Sequence, residues 1–190
     1  MKLVGLGNPG IEYQFTPHNL GFLAIDRIAD DQGVEVRNRQ CRALTARTTI
    51  GQEQVVLAKP ETFMNLSGEA VRCLVQKLEL TPKSDLVVIQ DELDFPFGDL
   101  RVQRNRSSAG HNGIESVIDS LGTKDFVRIR IGVAPEHKVQ DGKEYLLAPL
   151  NRAHLKTLGA VFDEVADAVK VIVTEGSVAA MQKFNVRTRF

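Results

Sequence analysis

Four consecutive apolar residues, Leu86-Val87-Val88-Ile89, leave no position for a solvent-facing side chain. A strand of that kind is buried on both faces, which requires a parallel or mixed sheet between layers of helix. The rest of the chain supplies those layers. Lys2 to Leu6 is a second short apolar run ending in glycines, and Pro9 and Pro17 forbid an immediate helix after it. Asn19 to Gln32 carries Leu20, Leu23, Ala24 and Ile28 at helical spacing, with Asn19 placed to cap its start and Gly33 its end. Arg42 to Ile50 and Gln54 to Lys59 are β-rich runs separated by Gly51, which predicts a hairpin or adjacent strand pair stopped by Pro60. Leu66, Ala70, Leu74 and Leu78 predict a helix that Thr81-Pro82 ends.

Beyond the central run, Gln90 to Asp94 stand at a strand exit, Phe95 to Gly98 form a turn, and Leu100 to Arg104 make a more exposed strand. Asn105 to Ala109 is a polar loop. Ile114, Val117, Ile118 and Leu121 form a helical stripe opened by Gly110-His111-Asn112-Gly113 and closed by Gly122. Val127 to Val133 alternates Arg128 and Arg130 with Ile129 and Ile131, giving a strand with one basic face. A long helix from Asn151 is expected to bury Leu155, Leu158, Phe162, Val165, Val169 and Ile172 and to end at Gly176, after which Ser177 caps a short helix before a basic tail at Lys183, Arg187 and Arg189. The expected fold class is α/β, a single layered domain over residues 1–190 with a mixed, mostly parallel twisted sheet and helices on both faces.

A chain of 190 residues that is 43% hydrophobic can bury a full core without subdivision. Lys plus Arg equals Asp plus Glu at 24 each, so no global field draws in nucleic acid and any polyanion site has to be a local patch. Arg101, Arg104, Arg106, Arg128 and Arg130 could form one, although such a set is more often a solvated face. Cys41 and Cys73 lack a metal or redox spacing and are expected to be free thiols in a reducing cytoplasm. No signal peptide or membrane-spanning run is expected.

The stretch from Gly5 to Asn19 is unusually dense in chemistry. Gly5, Gly7 and Gly10 fit the spacing of a dinucleotide fingerprint, but Pro9 removes an amide donor from the loop and the helix starts only near Asn19, too late to cradle a pyrophosphate. A nucleotide-dependent oxidoreductase is therefore disfavoured. Polar residues gather instead at strand exits: Asn8 and His18, then Asn65, then Asp91, then His111 and Asn112 at a helix start. In open α/β sheets such exits converge on one crevice. An imidazole beside a carboxylate makes a general base held in one tautomer, and amides supply neutral hydrogen bonds for a carbonyl, oxyanion or water. Singly, Asp91 reads as a turn residue that Glu92 or Asp94 could replace, and Asn65 and Asn112 as helix caps. With no Gly-x-Ser-x-Gly elbow and no cysteine beside the histidine, attack by water is favoured over a covalent intermediate.

Five blocks in order carry a further likeness: Gly7-Asn8-Pro9-Gly10 with Tyr13, Thr16, His18 and Asn19; Thr62-Phe63-Met64-Asn65-Leu66-Ser67-Gly68; Asp91-Glu92-Leu93-Asp94; Gly110-His111-Asn112-Gly113; and Arg128-Ile129-Arg130-Ile131-Gly132. Together they resemble the bacterial peptidyl-tRNA hydrolase family along nearly the whole chain. The resemblance implies a monomeric, cytoplasmic, metal-independent esterase without cofactor that cleaves the bond between a peptide and the terminal ribose of tRNA. It implies catalytic roles for His18 as base, Asp91 as its orienting partner and Asn8 as the group that tells blocked from free aminoacyl ends. Tyr13, Phe63, Met64, Asn65, His111 and Asn112 would contact the peptide and the acceptor end, and Arg130 a tRNA phosphate.

Three positions depart from the family pattern. Pro17 stands where arginine is usual before the histidine, Ala109 where a glycine is usual, and Gln103 where a lysine commonly partners Arg130. The alternative of a different class is a non-catalytic RNA or protein adaptor on the same fold, which loss of the base, carboxylate or amides would favour; all are retained.

Overall fold

The structure is a computed structural model that describes residues 1–137 and 139–185. Its strands are β1 (Lys2–Gly5), β2 (Asn38–Gln40), β3 (Ala43–Ile50), β4 (Glu53–Pro60), β5 (Leu86–Pro96), β6 (Leu100–Arg104) and β7 (Val127–Ala134). They form one sheet in the order β2-β3-β4-β1-β5-β7-β6. β1 lies parallel to β4 and β5, and β5 parallel to β7, while β2 with β3, β3 with β4 and β6 with β7 are antiparallel. The sheet is mixed as expected, but only its centre is parallel; one edge is the consecutive hairpins β2-β3-β4, and the other is β6, which pairs antiparallel with β7 although a helix separates the two in the chain.

The helices are α1 (Leu20–Asp31), α2 (Ser67–Lys77), α3 (Pro82–Asp85), α4 (Asn112–Leu121), α5 (Gly142–Leu147), α6 (Arg152–Glu175) and α7 (Ser177–Phe184). Alternation along the central strands divides the core in two. Leu3, Val87, Ile89 and Ile129 face α1 and α6, and Val4, Leu86 and Val88 face α2 and α4, where Val71, Leu74, Ile114 and Val117 meet them. Val87, Val88 and Ile89 are fully buried, which accounts for the lack of polar residues in that run. Each such side chain contributes roughly 1.5–3 kcal/mol of transfer free energy. No helix among the described residues is long and apolar enough to cross a membrane.

β1 and α1 approach at backbone contact. A Cβ on Gly5 would lie 2.0 Å from the carbonyl oxygen of Gly21, and one on Gly21 would lie 2.4 Å from the nitrogen of Leu6. Glycine at both positions lets the helix start press against the strand end, so the intervening turn is held over the C-terminal edge of the central strands.

Several local expectations are corrected. β5 does not stop at Ile89 but continues through Pro96, because β7 pairs with it as far as Glu92 and again at Pro96 across an irregularity; Asp91 therefore sits inside a strand. α2 ends at Lys77, and Pro82 opens α3 rather than closing α2. Leu66 and Leu155 are each 38% exposed, not core. Gly176, not Ser177, is the N-cap of α7. The short polar edge strand β2 and helix α5, capped by Asp141, had no apolar period to announce them. Arg128 and Arg130 are buried, so β7 has no solvated basic face. Cys41 and Cys73 are joined in a disulfide and are not free thiols. Arg187 and Arg189 of the basic tail lie outside the described residues.

Candidate active site

The connection from β1 to α1 ends in a short 3-10 helix, Pro17–Asn19, whose first position is the proline. Proline suits that place because its missing N–H would have no partner there. His18 in the middle of the turn is buried, and its Nδ1 lies 2.9 Å and 3.0 Å from the two carboxylate oxygens of Asp91. A carboxylate accepts only, so Nδ1 carries the proton and donates, leaving the Nε2 lone pair free. Burial alone depresses the His18 imidazole, but the Asp91 charge and hydrogen bond outweigh it and hold the pKa above the ordinary value of 6.5. Asp91 is fully desolvated, which would raise it; the charges and hydrogen bonds of His18 and His111 reverse that and hold it well below the usual carboxylate range.

His111 is the N-cap of α4, and its Nδ1 accepts from the backbone N–H groups of Gly113 at 3.1 Å and Ile114 at 3.3 Å. Its Nε2 must then carry the proton, which it donates to Asp91 Oδ1 at 3.0 Å. Asp91 thus orients two imidazoles whose ring centroids lie 5.0 Å apart. His18, Asp91 and His111 also bring potential metal-ligand atoms within 4.8 Å of one another. The hydrogen bonds argue against that use. A metal on His111 Nε2 would need the proton moved to Nδ1, where it would collide with two backbone donors and uncap α4.

Asn8 is fixed from both sides. Its backbone N–H donates to Asn19 Oδ1 at 2.9 Å, and Asn19 Nδ2 donates back to the Asn8 carbonyl at 3.0 Å. Asn19 was expected to cap α1, but its side chain makes no cap bond and is spent on this clamp. Asn8 Oδ1 accepts the Met64 N–H at 2.8 Å, so the NH2 end of the amide is the end left to a ligand. Met64 is buried against α4, where a Cβ on Gly113 would come within 2.4 Å of its sulfur.

These groups line a cavity of about 520 Å³. Asn8, Tyr13, His18, Phe63, Met64, Asn65, His111 and Asn112 all face it, with Phe63 57% exposed at the rim. Asp91 stands behind His18. Asn65 belongs to a 3-10 turn, Met64–Leu66, and Asn112 is the first residue of α4 rather than its cap. Leu93 and the α5 residues Lys143, Leu146 and Leu147 also line the cavity and were not foreseen, since α5 showed no period. The cap signal of Asp141 before Gly142-Lys143-Glu144 was the one available hint.

Arg130 does not line this cavity. It faces a neighbouring basin of about 340 Å³ with Phe95, Arg101, Gln103, Arg106 and Arg128. The loop between β6 and α4 joins the two, with Ala109 on the basin and Gly110 on the cavity. Arg130 is already engaged: Nε and Nη2 donate to Glu92 Oε2 at 2.8 Å and 2.5 Å, Nη1 donates to Gln103 Oε1, and the guanidinium lies 4.5 Å from the Phe95 ring centroid. Arg128 donates from Nη1 to the Ser107 carbonyl at 2.8 Å, while its buried Nε and Nη2 have no partner among the described residues. Burial first, then the charges of Arg130 and Arg106, lower Arg128 to about 10, so it remains a cation at neutral pH.

The sequence profile of the family described as peptidyl-tRNA hydrolase matches residues 2–189. The peptidyl-tRNA hydrolase of Koribacter versatilis is 55% identical over 186 residues, covering 97% of this chain and 92% of that protein. The one from Acidobacterium capsulatum is 52% identical over 188 residues, covering 97% and 95%. The crystal structure of peptidyl-tRNA hydrolase from Acinetobacter baumannii matches with a TM-score of 0.90 at 29% identity, over 98% of this chain and 95% of that one. This chain belongs to the peptidyl-tRNA hydrolase family.

Proposed function

We propose that the chain hydrolyses the ester between a peptide, or an N-blocked amino acid, and the 3'-terminal ribose of tRNA, recycling tRNA from aborted translation. The observation that carries this reading is the His18–Asp91 hydrogen bond behind the cavity, which leaves His18 Nε2 as an acceptor for a water proton. Water attacks the ester carbonyl carbon while its proton passes to Nε2. The tetrahedral oxyanion takes hydrogen bonds from amide donors such as Asn8, and its collapse expels the ribose oxygen, which takes the proton from the imidazolium. The products are a free peptide carboxyl group and a tRNA ribose hydroxyl. An ester is activated enough for these parts to suffice, so no metal or cofactor enters the scheme.

Asn8 gives selectivity. With Oδ1 held by Met64, its NH2 group can donate to the carbonyl of a blocked amino group. A free ammonium offers no acceptor and would leave the donor unpaired, which costs affinity. Tyr13, Phe63, Asn65 and Asn112 would hold the peptide and the acceptor end, and the arginine basin a phosphate. By the family likeness the chain would act as a monomer in the cytoplasm, where its substrate arises.

The test is hydrolysis of N-blocked against free aminoacyl-tRNA. Strong preference for the blocked ester, with a loss of about 10²- to 10⁴-fold in His18→Ala, is expected. Near wild-type turnover in His18→Ala would sink the mechanism.

A further inference from the structure

The β2–β3 hairpin turns through Cys41 and Arg42, since Gln40 pairs with Ala43. Both central residues have left-handed backbone, with φ of 52° and 54°. Two-residue turns of this kind favour asparagine and glycine, because a Cβ makes positive φ unfavourable. Here the turn is fastened to α2 instead: Cys41 is disulfide-bonded to Cys73, and Arg42 pairs with Glu69. Glu69 and Cys73 are four residues apart and share one face of the helix. The Arg42–Glu69 pair is exposed and contributes little by itself. The covalent link is what holds a strained turn in place.

The same turn reaches the cavity. The Arg42 carbonyl accepts the Glu61 N–H at 2.8 Å, and three residues later the Met64 N–H holds Asn8. α2 starts directly after the turn that carries Asn65. Cys73 is exposed, so a small thiol or disulfide can reach it.

We propose that Cys41 and Cys73 are a thiol–disulfide exchange site that sets the rigidity of the substrate wall at Phe63–Asn65. This rests on the hydrolase reading, and on a reducing compartment in which such a bond is transient and able to signal. A low-molecular-weight disulfide of the glutathione type is the oxidant. A protein thiolate attacks it, releasing one small thiol and leaving a mixed disulfide; the second protein thiolate attacks that, releasing another small thiol. The protein loses two thiol hydrogens and the small disulfide gains them. An excess of small thiol reverses both steps and frees the hairpin from α2.

The test uses the full chain. Alkylation followed by mass measurement should show no label without reductant and two labels after reduction. Reduction should speed amide exchange over residues 61–66 severalfold, raise KM for N-blocked aminoacyl-tRNA severalfold with kcat nearly constant, and lower Tm by roughly 5–10 °C from the lost loop constraint. The double variant Cys41→Ser/Cys73→Ser should match reduced wild type with or without reductant. Labelling of both thiols in oxidised protein, or identical exchange and KM in the two states, would overturn the proposal, as would a reductant response in the double variant. Labelling and amide exchange need no turnover, so absence of hydrolysis in both states would strike the functional reading alone.

Discussion

His111 donates from Nε2 to Asp91 Oδ1 at 3.0 Å, the same oxygen that accepts from His18 Nδ1 at 2.9 Å. One carboxylate therefore serves the base and a second imidazole whose other nitrogen caps α4. Deleting His111 removes two things at once. His111→Ala should cost about 1 kcal/mol of stability through the lost cap, and kcat should fall about tenfold as Asp91 loses a fixed donor. His111→Asn separates the two, because asparagine caps well but is too short to reach Asp91. Recovery of Tm without recovery of kcat is expected; recovery of both would reduce His111 to a cap.

Asp91→Asn has a sign fixed by the causes acting on His18. Burial lowers the imidazole and the Asp91 charge and hydrogen bond raise it. With the carboxylate gone, only burial remains. His18 acts unprotonated, so the acid limb of kcat/KM should move to lower pH in the variant. Rate at the plateau should drop by about 10²-fold or more, because an amide can hold the ring in the wrong tautomer. An acid limb left in place would mean that the Asp91 charge does not set the His18 pKa.

The same pair bears on stability. The folded pKa of His18 is raised, so its contribution is complete below the unfolded value near 6.5 and disappears as pH rises through the folded value. The Tm deficit of His18→Ala relative to wild type should therefore be larger near about pH 5.5 than near about pH 9. An equal deficit at both would mean that His18 stabilises the fold by packing alone.

The α/β class, the helix faces and the His18, Asp91 and asparagine set were legible because each rests on local pattern: apolar period, glycine and proline punctuation, polar residues where runs end. What escaped depends on contacts distant in sequence. Asn19 looked like a cap because caps are local, yet Asn8, eleven positions back, takes its side chain. The β5 strand runs on past its apolar segment because β7 pairs with it, and α5 is held at the cavity by tertiary contacts that leave no period in six residues. Arg128 and Arg130 alternate with isoleucine as an exposed face would, but β5 and β6 flank them and Glu92 neutralises Arg130. The cysteines were unreadable from spacing, since a hairpin turn and a helix had to fold before they met.

Ala109 occupies the position where a glycine is usual, and its φ is 51°. A left-handed residue with a Cβ costs roughly 1–2 kcal/mol, while the extra freedom of glycine in the unfolded chain costs about 0.4–1 kcal/mol. The first effect is larger, so Ala109→Gly should raise Tm by about 1–4 °C. A lower Tm would show that the loop gains more from stiffness than it loses to strain.

The arginine basin separates charge that is spent from charge that is free. Arg130 gives three of its N–H directions to Glu92 and Gln103, and Glu92 is only 5% exposed. Arg130→Ala would strand that carboxylate, a change that typically costs about 3–5 kcal/mol, so it should damage full-length tRNA and short acceptor substrates alike. Arg128 keeps two buried donors without partners among the described residues, and Arg101 and Arg106 line the same basin from more open positions. Gln103 cannot supply the charge of the usual lysine, and its Oε1 instead helps to hold Arg130. A phosphate in the basin should therefore be gripped by Arg128 with Arg101 and Arg106, guanidinium forks replacing the lysine point charge. Arg106→Ala and Arg101→Ala are each expected to raise KM for full-length tRNA substrate and to flatten the salt slope of binding by about 0.7–0.9, while a blocked aminoacyl ester on a short acceptor fragment is cleaved as by wild type. If both substrates suffer equally, the basin supports the cavity wall through the Ala109–Gly110 loop and the phosphate is held elsewhere.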